Sequence, residues 1–229
     1  MRPLNNFYPS PGLLVAFEGV DGCGKTTQIQ DLQLALVNAG HKVTVCGTPG
    51  GTRFGQKVRE ILFHDPELTT KNLNGNVSSL MYLASHLQSW EEVVKPALDK
   101  GHIVLSDRWD GFSGRAFAAA GVIPIDYVFQ SLRVSVSGPV PDLTIYMYGD
   151  PEKFLERTKS RESSHQNGKN WASDIAKMHK VSEAYNQIFS TTPNVVYVEA
   201  DKMDPKGVHD LIFREVTSKI ASKRSGVLK

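Results

Sequence analysis

Short apolar runs alternate with helix-like stretches along the whole chain. The first run, residues 13–17, is uninterrupted, which is typical of a strand buried on both faces. After it, Ile29, Leu32 and Leu36 recur at helical spacing up to Gly40, a residue type that commonly ends helices. Further strands are predicted at 41–45, 102–105, 142–148 and 194–198. This alternation predicts an α/β fold with a largely parallel, doubly wound sheet that binds ligands at the carboxyl ends of its strands.

The middle of the chain carries a second helical pattern, over about residues 78–100, after a shorter one at 53–63. On a helical wheel its apolar positions form one stripe, which we expect to face the core. The stripe consists of Leu80, Leu83, Ala84, Leu87 and Val94. Tyr82 and His86 fall outside the stripe and are i,i+4 neighbours on one helix face. They could contact one flat ligand together, although an amphipathic tyrosine and an exposed histidine would give the same pattern.

The polar stretches divide the chain into a leader, a domain and a tail. Residues 1–12, rich in proline and asparagine, predict a flexible leader, and residues 13–217 a single domain. The segment at about 161–171 is polar, contains glycine and interrupts two helices. A small mobile lid and an ordinary surface loop would both have this composition. Residues 218–229 contain four Lys or Arg and no acid, which predicts a basic, solvated C-terminal tail.

Charge and cysteine content exclude several classes of protein. The formal net charge is +2, and the tail alone contributes +4, so the rest of the chain is slightly acidic and a general nucleic-acid-binding surface is not expected. No apolar run approaches the length of a membrane span, and the first residues lack the apolar core of a secretory signal. The two cysteines, Cys23 and Cys46, fit a reducing compartment. We therefore expect a cytoplasmic protein without a membrane partner.

A glycine-rich motif follows the first strand. Residues 19–26, GVDGCGKT, fit the pattern G-x-x-x-x-G-K-[ST] between a buried strand and an amphipathic helix, which is the context this pattern requires. Glycines there let backbone N–H groups converge on phosphate oxygens at a helix N-terminus. Lys25 would reach the β- and γ-phosphates of a nucleoside triphosphate. The predicted phosphate-binding residues are Gly19, Val20, Asp21, Gly22, Cys23, Gly24, Lys25, Thr26 and Thr27.

An acidic and a basic residue follow the third predicted strand. Asp107 lies just beyond the strand, where an acid can hold Mg²⁺ beside a phosphate-binding loop, and Arg108 comes next. We expect Thr26 and Asp107 to bind the metal. A surface ion pair would look the same without the phosphate motif, so the motif favours the functional interpretation.

Cations flank the predicted lid. Arg157 and Arg161 are i,i+4 neighbours, with Lys159 between them and Lys169 beyond. Phosphoryl transfer requires positive charge around the migrating group, so we interpret Arg157 and Arg161 as catalytic. A solvated basic helix face is the alternative.

Several segments together resemble the thymidylate kinases, in an order and spacing that cover residues 13–201. They are FEGVDGCGKTTQ at 17–28, PGGT at 49–52, KPAL at 95–98, DRW at 107–109 and PDLTIY at 141–146. The resemblance implies a three-layer P-loop NTPase fold with a five-stranded sheet, helices on both faces and a small lid. It also implies phosphorylation of deoxythymidine monophosphate (dTMP) to the diphosphate (dTDP), with ATP and Mg²⁺, by a homodimer.

The resemblance also assigns roles to individual residues. Asp21 would lie near the acceptor's sugar hydroxyl or the metal, Arg108 would bridge the acceptor and donor phosphates, and Tyr82 would stack on thymine. Ser113, Arg115 and Phe117 would line the base and sugar pocket. Cys23 occupies a loop position that is arginine in some members, so the lid would supply that cation. Lys25, Arg108, Asp21, Arg157 and Arg161 are therefore the catalytic candidates.

Three departures from the family pattern concern the acceptor. Gly47 and Thr48 replace a charged Arg-Glu pair, His86 replaces the arginine expected at thymine O4, and one extra residue separates Arg108 from Ser113. A kinase of another or 5-modified pyrimidine deoxynucleotide, such as deoxyuridine monophosphate (dUMP), is therefore an alternative. A P-loop switch module is a second one, but the chain lacks the guanine-reading sequence Asn-Lys-x-Asp.

Overall fold

The computed structural model describes residues 8–65, 67–68, 73–121, 139–162 and 174–225, with side chains at all of these except 110, 111, 118 and 160–162. Within these ranges the chain forms a five-stranded parallel sheet in the order β2-β3-β1-β4-β5. The strands are β1 (Leu13–Glu18), β2 (Val43–Gly47), β3 (Ile103–Asp107), β4 (Leu143–Tyr148) and β5 (Val195–Glu199). The predicted sheet and fold class are therefore confirmed.

Strand β1 lies at the centre of the sheet and is buried along its whole length. Its uninterrupted apolar run follows from this position, because helices cover both faces of a parallel sheet. The register pairs Phe17 with Asp107 of β3 and Glu18 with Tyr146 of β4. The ends of these three strands therefore meet at one edge, where the chain enters the glycine-rich loop.

Helices fill the connections between strands, as the periodicity predicted. Ile29, Leu32 and Leu36 are buried, and Gly40 follows the first helix with a positive φ of 83°. Thr52 caps the second helix by accepting a hydrogen bond from Gly55 N at 2.9 Å.

The helices are α1 (Lys25–Asn38), α2 (Arg53–Phe63), α3 (Gly75–Ser89), α4 (Lys95–Asp99), α5 (Asp110–Ala119), α6 (Pro151–Glu162), α7 (Ile175–Phe189) and α8 (Pro205–Arg224). Among the described residues, no helix has the length and apolar character needed to cross a bilayer.

The helix predicted over 78–100 is interrupted. A π-helical turn, Trp90–Val94, joins α3 to α4. Pro96 lacks the amide hydrogen that would bond to the Glu92 carbonyl in a regular α-helix, which accounts for the break here.

The apolar stripe predicted for this helix is wrong at Leu80. Its side chain is 50% exposed, and Ala84 and Leu87 are half-buried, whereas Leu83 and Val94 are buried as expected. His86, predicted to lie outside the stripe, is buried and packs edge-on against Trp109 with ring centroids 4.6 Å apart. The helix is rotated relative to the wheel prediction because the Trp109 ring and helix α2 both pack on it.

Both predicted terminal segments are partly packed against the domain. Tyr8 contacts Trp90 edge-on and donates a hydrogen bond to Asp99, so residues 8–12 are not a free leader. Helix α8 continues to Arg224 and buries Ile220, and Lys223 donates to Asp142 at 2.9 Å. Residues 218–224 are therefore not a solvated tail, because their basic side chains are spaced along a helix whose other face is apolar.

Candidate active site

The glycine-rich loop between β1 and α1 has a backbone conformation that residues with a Cβ atom could not adopt without strain or collision. Gly19, Gly22 and Gly24 have φ values of 139°, 83° and 102°, a region that glycine enters at little cost. A Cβ atom on Gly19 would collide with the Met147 carbonyl oxygen, and one on Gly22 with the Phe154 carbonyl oxygen. The loop therefore depends on glycine for both conformation and space.

Helix α1 presents its N-terminus to the same loop. Its N-cap, Gly24, supplies no side-chain hydrogen bond, and the first turn contains no acid. Thr26 and Thr27 are exposed there, whereas Val20 and Cys23 are buried. An uncapped N-terminus has unpaired N–H groups and the positive end of the helix dipole, so it is suited to bind phosphate.

Lys25 lies inside the loop. Its Nζ donates to the carbonyl oxygens of Gly19 and Val20, both at 3.0 Å, and lies 3.7 Å from Cys23 Sγ. Only 6% of the residue is exposed. The ammonium is therefore positioned by the loop's own backbone, at the point where phosphate oxygens would approach the N–H groups.

The two residues predicted to bind the metal are adjacent. Thr26 Oγ1 donates to Asp107 Oδ2 at 3.2 Å, which joins the first turn of α1 to the end of β3. A hydroxyl and a carboxylate beside a phosphate site are the hard oxygen ligands that Mg²⁺ prefers, usually together with phosphate oxygens and water. These residues fit a magnesium ion.

Arg108 connects the strand ends with the loop. It has a positive φ of 73°, and its guanidinium donates to Gly19 O at 3.0 Å, to the Tyr185 hydroxyl at 3.1 Å and to Asp21 Oδ1. Burial works to lower its pKa, but Tyr185, Asp21, Asp107 and Glu18 around it raise the pKa well above its ordinary value. The structure thus brings together Arg108 and Asp21, two separately predicted site residues, with 15% of the arginine side chain still exposed.

Glu18, the last residue of β1, supports the turn that carries Arg108. It was not assigned a role from the sequence. Its carboxylate is fully buried and accepts three hydrogen bonds, from Trp109 N at 2.6 Å, Ser113 Oγ at 2.7 Å and the Tyr185 hydroxyl at 2.9 Å. Burial raises the pKa of Glu18, while Arg108 and the three hydrogen bonds act in the opposite direction. The network fixes the turn that carries Arg108 relative to β1.

Ser113 and Tyr185 belong to this buried network. Their hydroxyl oxygens lie 3.1 Å apart, and both donate to Glu18. Ser113, predicted to line the acceptor pocket, therefore directs its hydroxyl inward. Tyr185, on α7, was missed entirely, because a tyrosine on an amphipathic helix has no local signal of its long-range partners.

Among the other predicted acceptor residues, Phe117 contacts Arg108 directly. Phe117 lies under the guanidinium, with 5.3 Å between Arg108 Cζ and the ring centroid. The half-buried Tyr82 contacts Phe63 edge-on. Burial raises the pKa of the Tyr82 hydroxyl, although the charges of Arg108 and Arg59 act in the opposite direction. Burial also lowers the pKa of Arg115. The charges of Arg108 and Asp21 thus act on Tyr82, whereas His86 is buried against Trp109.

The predicted lid cations are only partly described. Arg157 donates to the Ala200 carbonyl at 3.4 and 3.5 Å and lies over the Phe154 ring, so in this structure it contacts the residue that follows β5. Arg161 is within α6, but its side chain lies outside the described residues, as do Lys169 and the lid segment from residue 163 onward.

Comparison with known proteins is consistent with this geometry. A family model described as thymidylate kinase matches residues 17–212. A thymidylate kinase of Thermoanaerobacter sp. (strain X514) is 37% identical over 183 residues, 80% of this chain and 86% of the relative. One of Maridesulfovibrio salexigens is 32% identical, with 93% of this chain and 97% of the relative covered. One of Deinococcus radiodurans is 39% identical over 66% of this chain and 72% of the relative. Because both the family model and relatives above 30% identity span most of the sequence, the chain belongs to the thymidylate kinase family.

Proposed function

We propose that the protein transfers the γ-phosphoryl group of ATP to the 5′-phosphate of dTMP and releases dTDP and ADP. An acceptor phosphate oxygen forms the new P–O bond as the bond between the γ-phosphorus and the β,γ-bridging oxygen breaks. The main support is that a triphosphate-binding loop and the Arg108–Asp21 pair lie at adjoining strand ends. The first is suited to the donor and the second to the acceptor.

Catalysis in this site would be positioning and neutralisation of charge, without a covalent enzyme intermediate. The loop N–H groups and Lys25 would hold the donor phosphates, with Lys25 neutralising charge that develops at the leaving group. Thr26 and Asp107 would hold Mg²⁺, which neutralises phosphate charge when bound. Arg108, placed by Glu18 and Tyr185, would contact the acceptor phosphate and the group in transfer.

The acceptor's base would stack on Tyr82, which is half-buried beside the Arg108–Asp21 pair. Stacking supports any pyrimidine, so selection depends on neighbouring polar groups. His86 replaces the arginine of the family pattern at this point. A neutral histidine can donate from one ring nitrogen and accept at the other, whereas arginine only donates. We therefore keep dUMP and 5-substituted dUMP as further acceptors.

The test is a panel of deoxynucleoside and ribonucleoside monophosphates assayed for ADP release with ATP and Mg²⁺. We expect release only in the presence of a pyrimidine deoxynucleotide, with dTMP and dUMP within about 10³-fold of each other in kcat/KM. A stronger preference for dTMP contradicts the broad acceptor range. Equal ADP release without any acceptor contradicts the kinase assignment and favours the switch-module alternative.

We also propose that the enzyme is a homodimer formed through helices α2 and α3. An apolar groove of about 410 Å³ lies between them, lined by Phe54, Val58, Ile61, Val77, Leu80, Met81 and Ala84 with the stem of Lys57. Phe54, Val77 and Leu80 are 48%, 45% and 50% exposed. A second copy suits this face, because a two-fold axis would place each Phe54 against the partner's groove and cover both apolar faces at once.

Oligomeric state tests this proposal. Leu80→Glu should convert a dimer to a monomer in light scattering, since it places a charge in the interface. Leu34→Glu is the matched control, because Leu34 is 63% exposed on α1, outside the groove. A monomeric wild type, or a dimer unaffected by Leu80→Glu, would contradict it.

A cytoplasmic location is the final part of the proposal. It is supported by the two free, buried thiols of Cys23 and Cys46, which suit a reducing compartment. Burial raises the pKa of Cys46 to about 11, so this thiol stays protonated and unreactive at neutral pH.

A further inference from the structure

A second concave site lies at the amino ends of the strands, opposite the phosphate-binding loop. It is a groove of about 920 Å³ whose floor includes Leu13 and Ile103, the first residues of β1 and β3. One wall is the segment 8–11 and the other is the end of α8. A volume of this size is typical of small-molecule sites, and the opposing walls suit a compact ligand.

The groove is strongly basic. Its described lining residues include His41, Lys42, Lys219, Lys223 and Arg224, against a single acid, Asp142. That acid is already paired with Lys223, whose Nζ lies 2.9 Å from both of its carboxylate oxygens, and it also accepts a hydrogen bond from Leu14 N at 2.8 Å. The remaining cations therefore have no carboxylate of the groove left to pair with.

Lys219 illustrates the excess charge. Its Nζ donates to the neutral Asn194 Oδ1 at 3.3 Å, and within the described part of the chain it forms no ion pair. Burial and the neighbouring Lys223 lower its pKa, although Asp142 acts in the opposite direction. An anion beside Lys219 would relieve this cost.

Other donors in the groove are also incompletely used. Ser10 Oγ is buried and has no hydrogen-bond partner among the described residues. Arg224 has a contact of 3.4 Å with His41 Nδ1, which is long for a hydrogen bond. In the sequence, residues 1–7 and 226–229, which precede Tyr8 and follow Ser225, contain no Asp or Glu. Neither of them therefore offers an acidic side chain to these donors.

We propose that this groove is a non-catalytic binding site for a compact ligand bearing a phosphate chain. Lys219, Arg224 and Lys42 would pair with phosphate oxygens, and Ser10 would donate a hydrogen bond. The phosphate chain could come from inorganic polyphosphate or from a nucleoside triphosphate. The proposal concerns a surface remote from the phosphate-binding loop and does not depend on the reaction proposed above.

Lysine footprinting of the full wild-type chain gives the site-resolved test, with inorganic tripolyphosphate as the probe. We expect tripolyphosphate to slow acetylation of Lys219 and Lys42 but not of Lys206, an exposed lysine near the start of the same helix α8. Equal protection of Lys219 and Lys206, or protection of neither, would overturn the proposal.

Calorimetry of variants gives the second test. The double change Lys219→Gln with Arg224→Gln should remove one tripolyphosphate site, or weaken it about tenfold, while kcat and the KM for ATP remain unchanged. Lys206→Gln is the control, and Lys223 is kept so that its ion pair with Asp142 is preserved. Wild-type binding by the double variant contradicts the proposal. Repeating the titration with ATP distinguishes the two sources, because only a nucleotide site would bind ATP more tightly than tripolyphosphate.

Discussion

The two predicted walls of the candidate active site are built by different means. The phosphate wall, residues 19–27 with Asp107 and Arg108, is positioned by backbone: glycines with positive φ, carbonyls that hold Lys25, and strand register. The predicted acceptor wall consists of Tyr82, His86, Arg115 and Phe117. Side-chain packing between distant segments positions at least two of them, His86 on Trp109 and Tyr82 on Phe63. A local motif can encode the first wall, but only the folded chain forms the second.

The largest expected effect is in the phosphate wall. Lys25→Met removes the ammonium that the Gly19 and Val20 carbonyls position. We expect kcat to fall by at least about 10²-fold, the scale of losing one preorganised electrostatic contact. Steady-state kinetics with ATP and dTMP measures this, and a change of only a few-fold would show that Lys25 does not act in catalysis.

Arg108 is where the two walls meet, so its removal should affect both. For Arg108→Ala we expect a lower kcat together with a higher KM for dTMP, because the contact strengthens in the transition state. The separate KM values for ATP and dTMP show whether Arg108 acts on the acceptor or only on the donor. If only the KM for ATP changes, Arg108 belongs to the donor site.

The phosphate wall is positioned by backbone and the acceptor wall by side-chain packing. This difference explains how much of each wall could be predicted from the sequence. The loop and the neighbouring positions of Thr26 and Asp107 were predicted, because a strand, a loop and a register determine them. Arg108 and Asp21 were both predicted as site residues, although not as an ion pair. The inward turn of Ser113, the burial of His86 and the part played by Tyr185 were not predicted. Each depends on α5 or α3 packing against residues far away in sequence, which a helical wheel does not contain.

Tyr185→Phe should have a smaller effect, since it removes only one hydroxyl that supports Arg108 and Glu18. We expect a loss of about 1 kcal/mol in the free energy of unfolding and a reduction of kcat by less than about tenfold. Denaturant unfolding and kinetics measure the two effects. Tyr197→Phe is the matched control, because Tyr197 is 46% exposed at a sheet edge. Indistinguishable results for the two variants would mean that the network does not position Arg108.

The smallest expected effect is confined to the acceptor wall. Tyr82→Leu should raise the KM for dTMP by up to about tenfold and leave kcat within a few-fold, because stacking supports the ground state and the transition state alike. The KM for ATP serves as the internal control. A fall in kcat equal to that of Arg108→Ala would remove the distinction between the two walls.

The most direct test of phosphoryl transfer to dTMP follows the transferred phosphate itself. Wild-type protein is incubated with ATP labelled at the γ-phosphorus, dTMP and Mg²⁺, and the products are separated. We expect label in the β-phosphate of dTDP, equimolar with ADP, and a rate at least about 10²-fold lower for Lys25→Met. Label released as inorganic phosphate at an unchanged rate, with no labelled dTDP, would contradict it.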